Sequence, residues 1–526
     1  TEDPSVRVAM LEFGTDKNHK KQIVRAPLGM VTFMMPNLAF LGGTKMMYLY
    51  EAEPSRGLGN QKMMLPRGKA LGGSSMVNGM IYIRGQKQDY DDWRDMGNPG
   101  WGYDDLLPYF RKSENFVLAS EPDATKNFTL GGKPVRDQID MAYHGTGGPV
   151  SVAPPRSPNP LCPTYFEAAK QAGYKLNADF NGEDQEGIGY HWLTQKGGER
   201  WGAESSYANP ARERPNLTII TEARALEILM DGKRATGVKY DRAGEIKEIK
   251  AGKEVILATG AFISPQLLQL SGIGDPKELK RHGIAVKHAL PGVGQNLQDH
   301  VDYIYAAKTR DTDVLGLGLA GATKLVRHIL DWRRDGSGLV ASPGAEAGAF
   351  LKSEPHLDRP DLQLHFVAAL VDDHSRKLHL GYGYSCHVCV LRPFSRGEVG
   401  LDGPDPLRAP RIDPKYLSDD RDAALMLKGA RITRAIMDAP SLSKYRLREV
   451  YTREGMDDDE LMGHIRARAD TIYHPVGTCR MGRDAMAVTD PELRVHGVER
   501  LRVVDASVMP TLIGGNTNAP TIMIAE

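Results

Sequence analysis

A histidine and an amide-bearing loop near the end of the chain could together act on a hydroxyl group. His474 opens the segment His-Pro-Val-Gly-Thr-Cys-Arg-Met-Gly, and the loop Gly-Gly-Asn-Thr-Asn-Ala-Pro-Thr follows at 514–521. A histidine can take a proton at neutral pH, and an amide can hold the oxygen that is left behind. In a long chain of alternating strands and helices, this pair suggests oxidation of a hydroxyl group.

A glycine-rich loop forms the second informative block. The segment 66–80 reads Pro-Arg-Gly-Lys-Ala-Leu-Gly-Gly-Ser-Ser-Met-Val-Asn-Gly-Met. Gly72 and Gly73 let the backbone approach a ligand closely, and Arg67 can reach a phosphate. By itself a Gly-Gly-Ser-Ser loop is weak evidence for a ligand-binding site, so the interpretation depends on the other motifs in the sequence.

The bulk composition excludes several classes of protein. Lys plus Arg and Asp plus Glu both number 67 in 526 residues, so the formal net charge is zero. With this balance the chain has neither the excess of positive charge typical of nucleic-acid-binding proteins nor a polybasic membrane anchor. The four cysteines are too few for a disulfide framework. Cys386 and Cys389 resemble a metal-binding pair, but on a strand residues three apart point to opposite faces.

No signal peptide and no membrane-spanning apolar run is visible in the sequence. We expect a cytoplasmic location, with peripheral contact at the inner membrane and an oligomeric state left open.

The alternation of strand-like and helical runs predicts an α/β fold with two lobes. Val6–Glu12 reads as a strand that ends in an acid, as the second strand of a dinucleotide-binding fold does. The first strand and its Gly-x-Gly-x-x-Gly turn would lie upstream, and the end of the chain reads as a helix just begun. We therefore expect this sequence to be a piece of a longer protein.

Further elements follow from the patterns. Residues 253–260 and 501–507 read as buried strands, and a helix is predicted from Pro265 with Ser264 as its N-cap. Residues 362–367 and 384–391 alternate with period two, which predicts an antiparallel sheet with one face toward water.

Five blocks in order resemble the glucose–methanol–choline (GMC) oxidoreductase family over the whole chain. The blocks are 72–80, 260–274, 291–300, the segment opened by His474 and the loop around Asn518. Within that family the chain is most similar to bacterial choline-dehydrogenase-like proteins and medium-chain alcohol dehydrogenases.

The resemblance implies a discontinuous, Rossmann-like FAD-binding lobe and a substrate lobe whose antiparallel sheet is flanked by helices. The expected division gives residues 1–150, 215–308 and 466–526 to the FAD-binding lobe, and 151–214 and 309–465 to the substrate lobe. Because 71–80 contains no histidine to link a flavin, we expect non-covalent FAD. The residues expected to contact it are Glu12, Arg67, Gly73, Ser74, Asn78, Gly79, Met80, Ala225, Asp505, Ala506, Asn518, Ala519 and Thr521.

The reaction that the resemblance implies is oxidation of an alcohol to an aldehyde or ketone, with hydride transfer to flavin N5. His474 is expected to remove the hydroxyl proton and Asn518 to hold the alkoxide oxygen. His300 is expected to order a loop without chemistry. The substrate is expected to be a small uncharged alcohol, the electron acceptor a quinone or another acceptor, and no nucleic acid is expected as a partner. An alcohol oxidase that uses oxygen, a hydroxynitrile lyase and a flavin-free, non-catalytic protein remain alternatives.

Overall fold

The computed structural model describes residues 1–16, 20–34, 44–120, 128–377 and 379–526, apart from the side chains at 34, 44, 317, 319, 320, 322 and 375. Helices and strands are mixed, the sheets are mostly antiparallel, and the α/β class is confirmed. Across these described ranges, no helix combines the length and the apolar content needed to cross a bilayer.

Two parallel strand pairs mark the lobe expected to bind the nucleotide. Val8–Glu12 runs parallel to Leu217–Thr221, and Val255–Leu257 runs parallel to Leu501–Val503. The predicted strands at the start of the chain, at 253–260 and at 501–507 are thereby confirmed. An antiparallel meander adds the strands Ala223–Asp231, Arg234–Arg242 and Glu245–Lys250.

The large antiparallel sheet belongs to the other lobe. Its main path contains, in spatial order, the strands Arg448–Glu449, Val301–Thr309, Gly381–Val390, Leu362–Val367, Ala347–Leu351 and Gly187–Tyr190, with Gly316–Leu317 and Asp470–Thr471 at its margins. Val301–Thr309, which includes the predicted lobe boundary at 308, pairs with Gly381–Val390 and so belongs to this sheet. The lobe boundaries stay predictions.

The two faces of this sheet differ in chemistry, and both are buried. Tyr165 on the helix Leu161–Gln171 stacks on Phe366 at 4.5 Å between ring centroids, which places the apolar face against helices. The opposite face carries a polar set: Asp302, Gln363, His365, His387 and Cys389.

The prediction of a face toward water is therefore wrong, because the polar face is covered by other parts of the chain. Cys386 and Cys389 lie on opposite faces as predicted, and both are buried thiols.

The longer helices are Lys87–Asp95, Tyr103–Ser113, Leu161–Gln171, Gly260–Leu270, Leu319–Asp335, Asp420–Met437, Asp458–Arg468 and Asn518–Ala525. The shorter helices are Gln22–Arg25, Met30–Met34, Val117–Ser120, Asn209–Ala211, Pro276–Arg281 and Pro440–Ser443. The helix predicted from Pro265 begins earlier, at Gly260, so Ser264 is not its N-cap. Instead, the Ser264 hydroxyl donates to the Asp505 carboxylate at 2.5 Å.

Smaller sheets complete the fold. They contain Glu114–Phe116, Val150–Ala153, Leu193–Lys196 and Glu199–Arg200; Met47–Glu51 with Met64–Gly68; Thr129–Leu130 with Lys133–Pro134; Ile273–Gly274 with His288–Ala289; and Gln295–Leu297, Gly397–Gly400 and Arg411–Asp413.

Candidate active site

One buried carboxylate holds the backbone of both histidines of the site. Asp299 Oδ1 accepts hydrogen bonds from the amides of His300, at 2.9 Å, and His474, at 2.7 Å. Its Oδ2 accepts from the hydroxyls of Tyr416 and Thr471, both at 2.6 Å. Four donors on one carboxylate fix the two histidines relative to each other. The sequence motif contained Asp299, but its spacing did not predict this role.

The chain after His474 is anchored to the lobe that carries the parallel strand pairs. Its amides donate in turn to neighbouring carbonyls: Gly477 to Ala506, Cys479 to Ser507 and Met481 to Val508. The Thr478 hydroxyl donates at 2.6 Å to the carbonyl of Ala261. That carbonyl needs an outside partner because Pro265, four residues on in the helix, has no N–H. The small residues after the histidine thus build a fixed support.

The hydrogen bonds determine which nitrogen of His474 carries its proton. The Leu391 carbonyl can only accept, so His300 Nε2, at 3.0 Å, must donate to it. In the neutral ring His300 Nδ1 is then an acceptor, and it receives the Nδ1–H of His474 at 2.9 Å. His474 Nε2 is therefore unprotonated and free to act as a base. His300, expected only to order a loop, also sets the tautomer of His474.

Burial keeps both rings neutral. It lowers the pKa of His474 well below the usual 6.5, and the neighbouring His300, His365 and Arg67 lower it further. Burial also lowers the pKa of His300 to about 4. A neutral His474 is the form that can take a proton from a substrate.

The amide that meets the base belongs to Asn516 and not to Asn518. Asn516 Nδ2 lies 3.1 Å from His474 Nε2 and donates to it. Asn518 is the first residue of the helix Asn518–Ala525, and its side chain has no hydrogen bond within the described residues. Asn518, predicted to hold the alkoxide oxygen, therefore makes no hydrogen bond to His474 here, and its predicted role stays a prediction.

Gly515 explains how Asn516 is aimed. Its φ is +155°, and a Cβ at this position would lie 2.3 Å from Ile83 Cγ2. The absence of a side chain lets the loop pack closely, which turns the next residue toward His474.

The buried neutral histidines predict an acid-sensitive fold. Burial lowers the pKa of His191 and of His300 to about 4 in the folded protein. Since the unfolded chain binds these protons near pH 6.5, stability is present above pH 6.5 and is lost as the pH falls toward 4. The loss is up to about 3 kcal/mol for each histidine. Unfolding temperatures measured at pH 7.5, 6 and 5 should fall steeply over this range.

A matched pair of variants tests that origin. His191→Gln removes one titrating ring and should flatten the decline, whereas His356→Gln, at an exposed position, should not. An equally steep decline in the His191→Gln variant would contradict the explanation.

The residues predicted to hold FAD lie in several segments. Burial raises the pKa of Glu12, at the end of its strand, to about 7, and its carboxylate accepts from the Gly14 amide at 2.5 Å. Arg67 donates to the Tyr473 carbonyl at 2.9 Å, so it lies beside the His474 segment. A half-buried acceptor at a strand end has the chemistry that ribose hydroxyls need.

The glycine-rich block is ordered from within. Ser74 Oγ accepts from the Gly68 amide at 3.0 Å, and Asn78 Oδ1 accepts from the Met80 amide at 3.0 Å. A Cβ built on Gly73 would meet nothing within 4 Å, and one on Gly79 would meet only Met30 Cε at 4.0 Å. The open space beside these glycines fits a bound cofactor.

The remaining predicted contacts flank the segment that carries His474. Asp505 Oδ2 accepts from the Gly260 amide at 2.9 Å, and Ala506 begins a short 3-10 turn. Ala519 and Thr521 lie in the first turn of the last helix; the Thr521 amide donates to the Thr517 carbonyl at 3.0 Å, and the amides of Asn518 and Ala519 have no acceptor within the helix. Ala225 lies on the meander strand at a register irregularity. The opening amides of the last helix fit a phosphate-bearing cofactor, and the role of each residue stays a prediction.

Gly73 provides a direct test of the cofactor site. Gly73→Ala and Gly197→Ala introduce the same strain, since their φ angles are +56° and +58° and neither Cβ would meet an atom of the chain. Only Gly73 adjoins the predicted cofactor. We expect Gly73→Ala to lower the flavin bound per protein, measured by absorbance after desalting, while Gly197→Ala retains it. Equal flavin content in the two variants would argue against this placement.

Comparison with known proteins identifies the family of the chain. Residues 31–302 and 393–525 match the two family profiles described as GMC oxidoreductase. The chain is 41% identical to the alcohol dehydrogenase [acceptor] of Pseudomonas putida, covering 100% of this chain and 90% of that protein. It is 39% identical to the mitochondrial choline dehydrogenase of Homo sapiens, covering 100% and 85% respectively.

Solved structures give the same result. Pyridoxine 4-oxidase from Mesorbium loti superposes with a TM-score of 0.84 at 28% identity, covering 100% of this chain and 94% of that one. A variant formate oxidase of Aspergillus oryzae RIB40, studied for its FAD modification, gives a TM-score of 0.87 at 25% identity, with 100% and 93% covered. The chain is therefore an oxidoreductase and belongs to the GMC family.

Proposed function

We propose that His474 is the base, and Asn516 the oxygen-holding amide, in the FAD-dependent oxidation of an alcohol to an aldehyde or ketone that family membership assigns to this chain. The observation that carries the proposal is the unprotonated His474 Nε2 with the Asn516 amide 3.1 Å away. A base and a hydrogen-bond donor side by side are what removal of a hydroxyl proton requires.

The two side chains have separate tasks. The alcohol O–H takes the place of the Asn516 amide proton at His474 Nε2, and the amide then donates to the alcohol oxygen. As His474 takes the proton, its Nδ1–H stays bonded to His300, so the ring does not turn. When bound, FAD would accept the hydride that leaves the carbon atom bearing the hydroxyl group. Glu12, the glycine-rich block and the first turn of the last helix would hold it, without a covalent bond.

We infer that the substrate is uncharged. The negative charges of the acids near His474 and His365 are neutralised by other groups of the chain or by protonation. Asp302 pairs with His387 at 2.7 Å and with His374 at 3.3 Å, and burial raises the pKa of Glu346 to about 7. A quaternary ammonium would favour an ionised carboxylate or an aromatic cage. The name of the Pseudomonas putida relative, alcohol dehydrogenase, is consistent with an uncharged alcohol as the substrate. Because other relatives are named choline dehydrogenase, choline is the charged substrate to compare with it.

A quinone or related acceptor is the proposed destination of the electrons, since the Pseudomonas putida relative is named for an acceptor. An oxidase is the second candidate, because solved neighbours are named as oxidases. A cytoplasmic location, contact with a membrane surface and an oligomeric state stay predictions.

A visible spectrum recorded without oxygen tests the proposal. Flavin bands that bleach with octan-1-ol but not with choline would support both the reaction and an uncharged substrate. Bleaching with choline alone would overturn the substrate class, and no flavin band after reconstitution would overturn the function. Admitting air and measuring hydrogen peroxide would separate an oxidase from a dehydrogenase.

A further inference from the structure

A buried glutamine outside the sequence motifs touches the catalytic amide. Gln363 lies in the strand Leu362–Val367, between the strands Ala347–Leu351 and Gly381–Val390, with Cys389 and Phe350 as its register partners. It is completely buried. Its Nε2 donates to Asn516 Oδ1 at 3.0 Å. Because it occupies a central strand, its backbone cannot shift without breaking the sheet.

The donor and the acceptor of each hydrogen bond in this series can be assigned by starting from the Leu391 carbonyl. The Leu391 carbonyl only accepts, which leaves His474 Nε2 as an acceptor, so Asn516 must turn its NH2 toward His474. The Asn516 carbonyl then faces Gln363, which must present its own NH2. The Gln363 carbonyl in turn receives the thiol of Cys389 at 3.9 Å. All members of the series donate in the same direction. If one amide flipped alone, two donors or two acceptors would face each other.

We propose that Gln363 is a positioning residue for the oxidation: it holds the Asn516 amide with its NH2 toward His474 Nε2 and the substrate oxygen. If the Asn516 amide flipped, its carbonyl would face His474 Nε2. That arrangement requires a proton on Nε2, and a protonated Nε2 cannot take the proton of the alcohol. Gln363 thus acts through Asn516 and does not touch the reacting atoms. This inference rests on the proposed roles of His474 and Asn516.

Two substitutions at Gln363 separate donation from packing. Gln363→Met keeps the length and the burial but removes the donor, so Asn516 is free to flip. We expect kcat to fall about tenfold with KM little changed, which is the order expected for one lost positioning hydrogen bond. Gln363→Glu keeps the size but, when ionised, only accepts, which draws the Asn516 NH2 away from His474. We expect a larger fall in kcat, and the acid limb of kcat/KM should move to higher pH.

A double-variant cycle tests the route of the effect. In an Asn516→Ala background, Gln363→Met should cause no further loss of kcat, because the amide that it orients is gone. Gln269→Met is the matched control. Gln269 is another buried glutamine, whose Nε2 donates to the Val293 and Val399 carbonyls and takes no part in the chain of hydrogen bonds through Asn516 and His474. This control should leave the pH profile unchanged, even if it costs stability.

The outcomes are distinguishable. Additive losses in the double variant, or an unchanged kcat and pH profile in both Gln363 variants, would overturn the positioning role. If Asn516→Ala alone retained full kcat, the proposed role of Asn516 would fail, and the inference about Gln363 with it. If Gln363→Met did not fold, Gln363→Glu would carry the same cycle, because it replaces only the amide nitrogen by oxygen.

Discussion

Replacing His474 with alanine is expected to lower kcat by a factor of about 10² to 10⁴, the range of general-base catalysis. The variant loses the unprotonated ring nitrogen that accepts from the Asn516 amide. It should still fold and bind FAD, because the Asp299 carboxylate bonds to the backbone amide of residue 474, which alanine keeps. The measurement is the rate of flavin bleaching by alcohol in an anaerobic stopped-flow instrument.

The pH dependence gives an independent readout of the same group. His474 acts as a base only when neutral, and burial lowers its pKa well below 6.5. In the unaltered enzyme kcat/KM should therefore be constant at neutral pH and fall only at acidic pH. The acid limb should be absent from the His474→Ala variant. His356→Ala, which changes an exposed histidine, is the control and should retain both rate and profile.

A His474→Ala variant that reduced its flavin within about threefold of the normal rate would rule out the base role, since general-base catalysis contributes at least about 10². Recovery of the rate with added imidazole would strengthen it, because the free base would then fill the space that the ring leaves.

Much of the fold could be predicted because local patterns determine it. The apolar run that ends at Glu12 and the buried run at 253–260 are strands in the structure. The helix start at Gly260 could not be predicted from Pro265. The helix tolerates this proline because the Thr478 hydroxyl donates to the Ala261 carbonyl, which Pro265 leaves without a partner. That contact joins residues more than 200 positions apart, and no local pattern reports it.

The polar residues of the large sheet show the same limit. Alternation in the strand Leu362–Val367 correctly predicted that Gln363 and His365 share a face. It also suggested that this face meets water, because a polar face of an antiparallel sheet usually does. In the folded chain the face covers the active site, and its polar groups are buried. Periodicity determines which residues lie together, but it does not determine what covers them.

Substitution of Asn516 and of Asn518 should distinguish the roles of the two asparagines. We expect Asn516→Ala to lower kcat by about 10² to 10³, as loss of one donor to a developing oxyanion does. Asn518→Ala should have a much smaller effect on kcat, since its side chain has no hydrogen bond to the described residues. If Asn518 contributes to cofactor binding, that variant should instead lower the flavin content. Both rates are to be measured as flavin reduction at saturating alcohol.

The sequence could not make this choice because the two asparagines lie two positions apart in one polar loop. The difference arises from backbone conformation: Asn516 follows Gly515, packed against Ile83, while Asn518 already belongs to the last helix. A helix start turns successive side chains in different directions, so only one of the two can reach His474 Nε2. If Asn518→Ala proved the slower variant, the loop would have to turn when substrate and FAD bind. The amide that holds the substrate oxygen would then differ from the one that contacts His474 here.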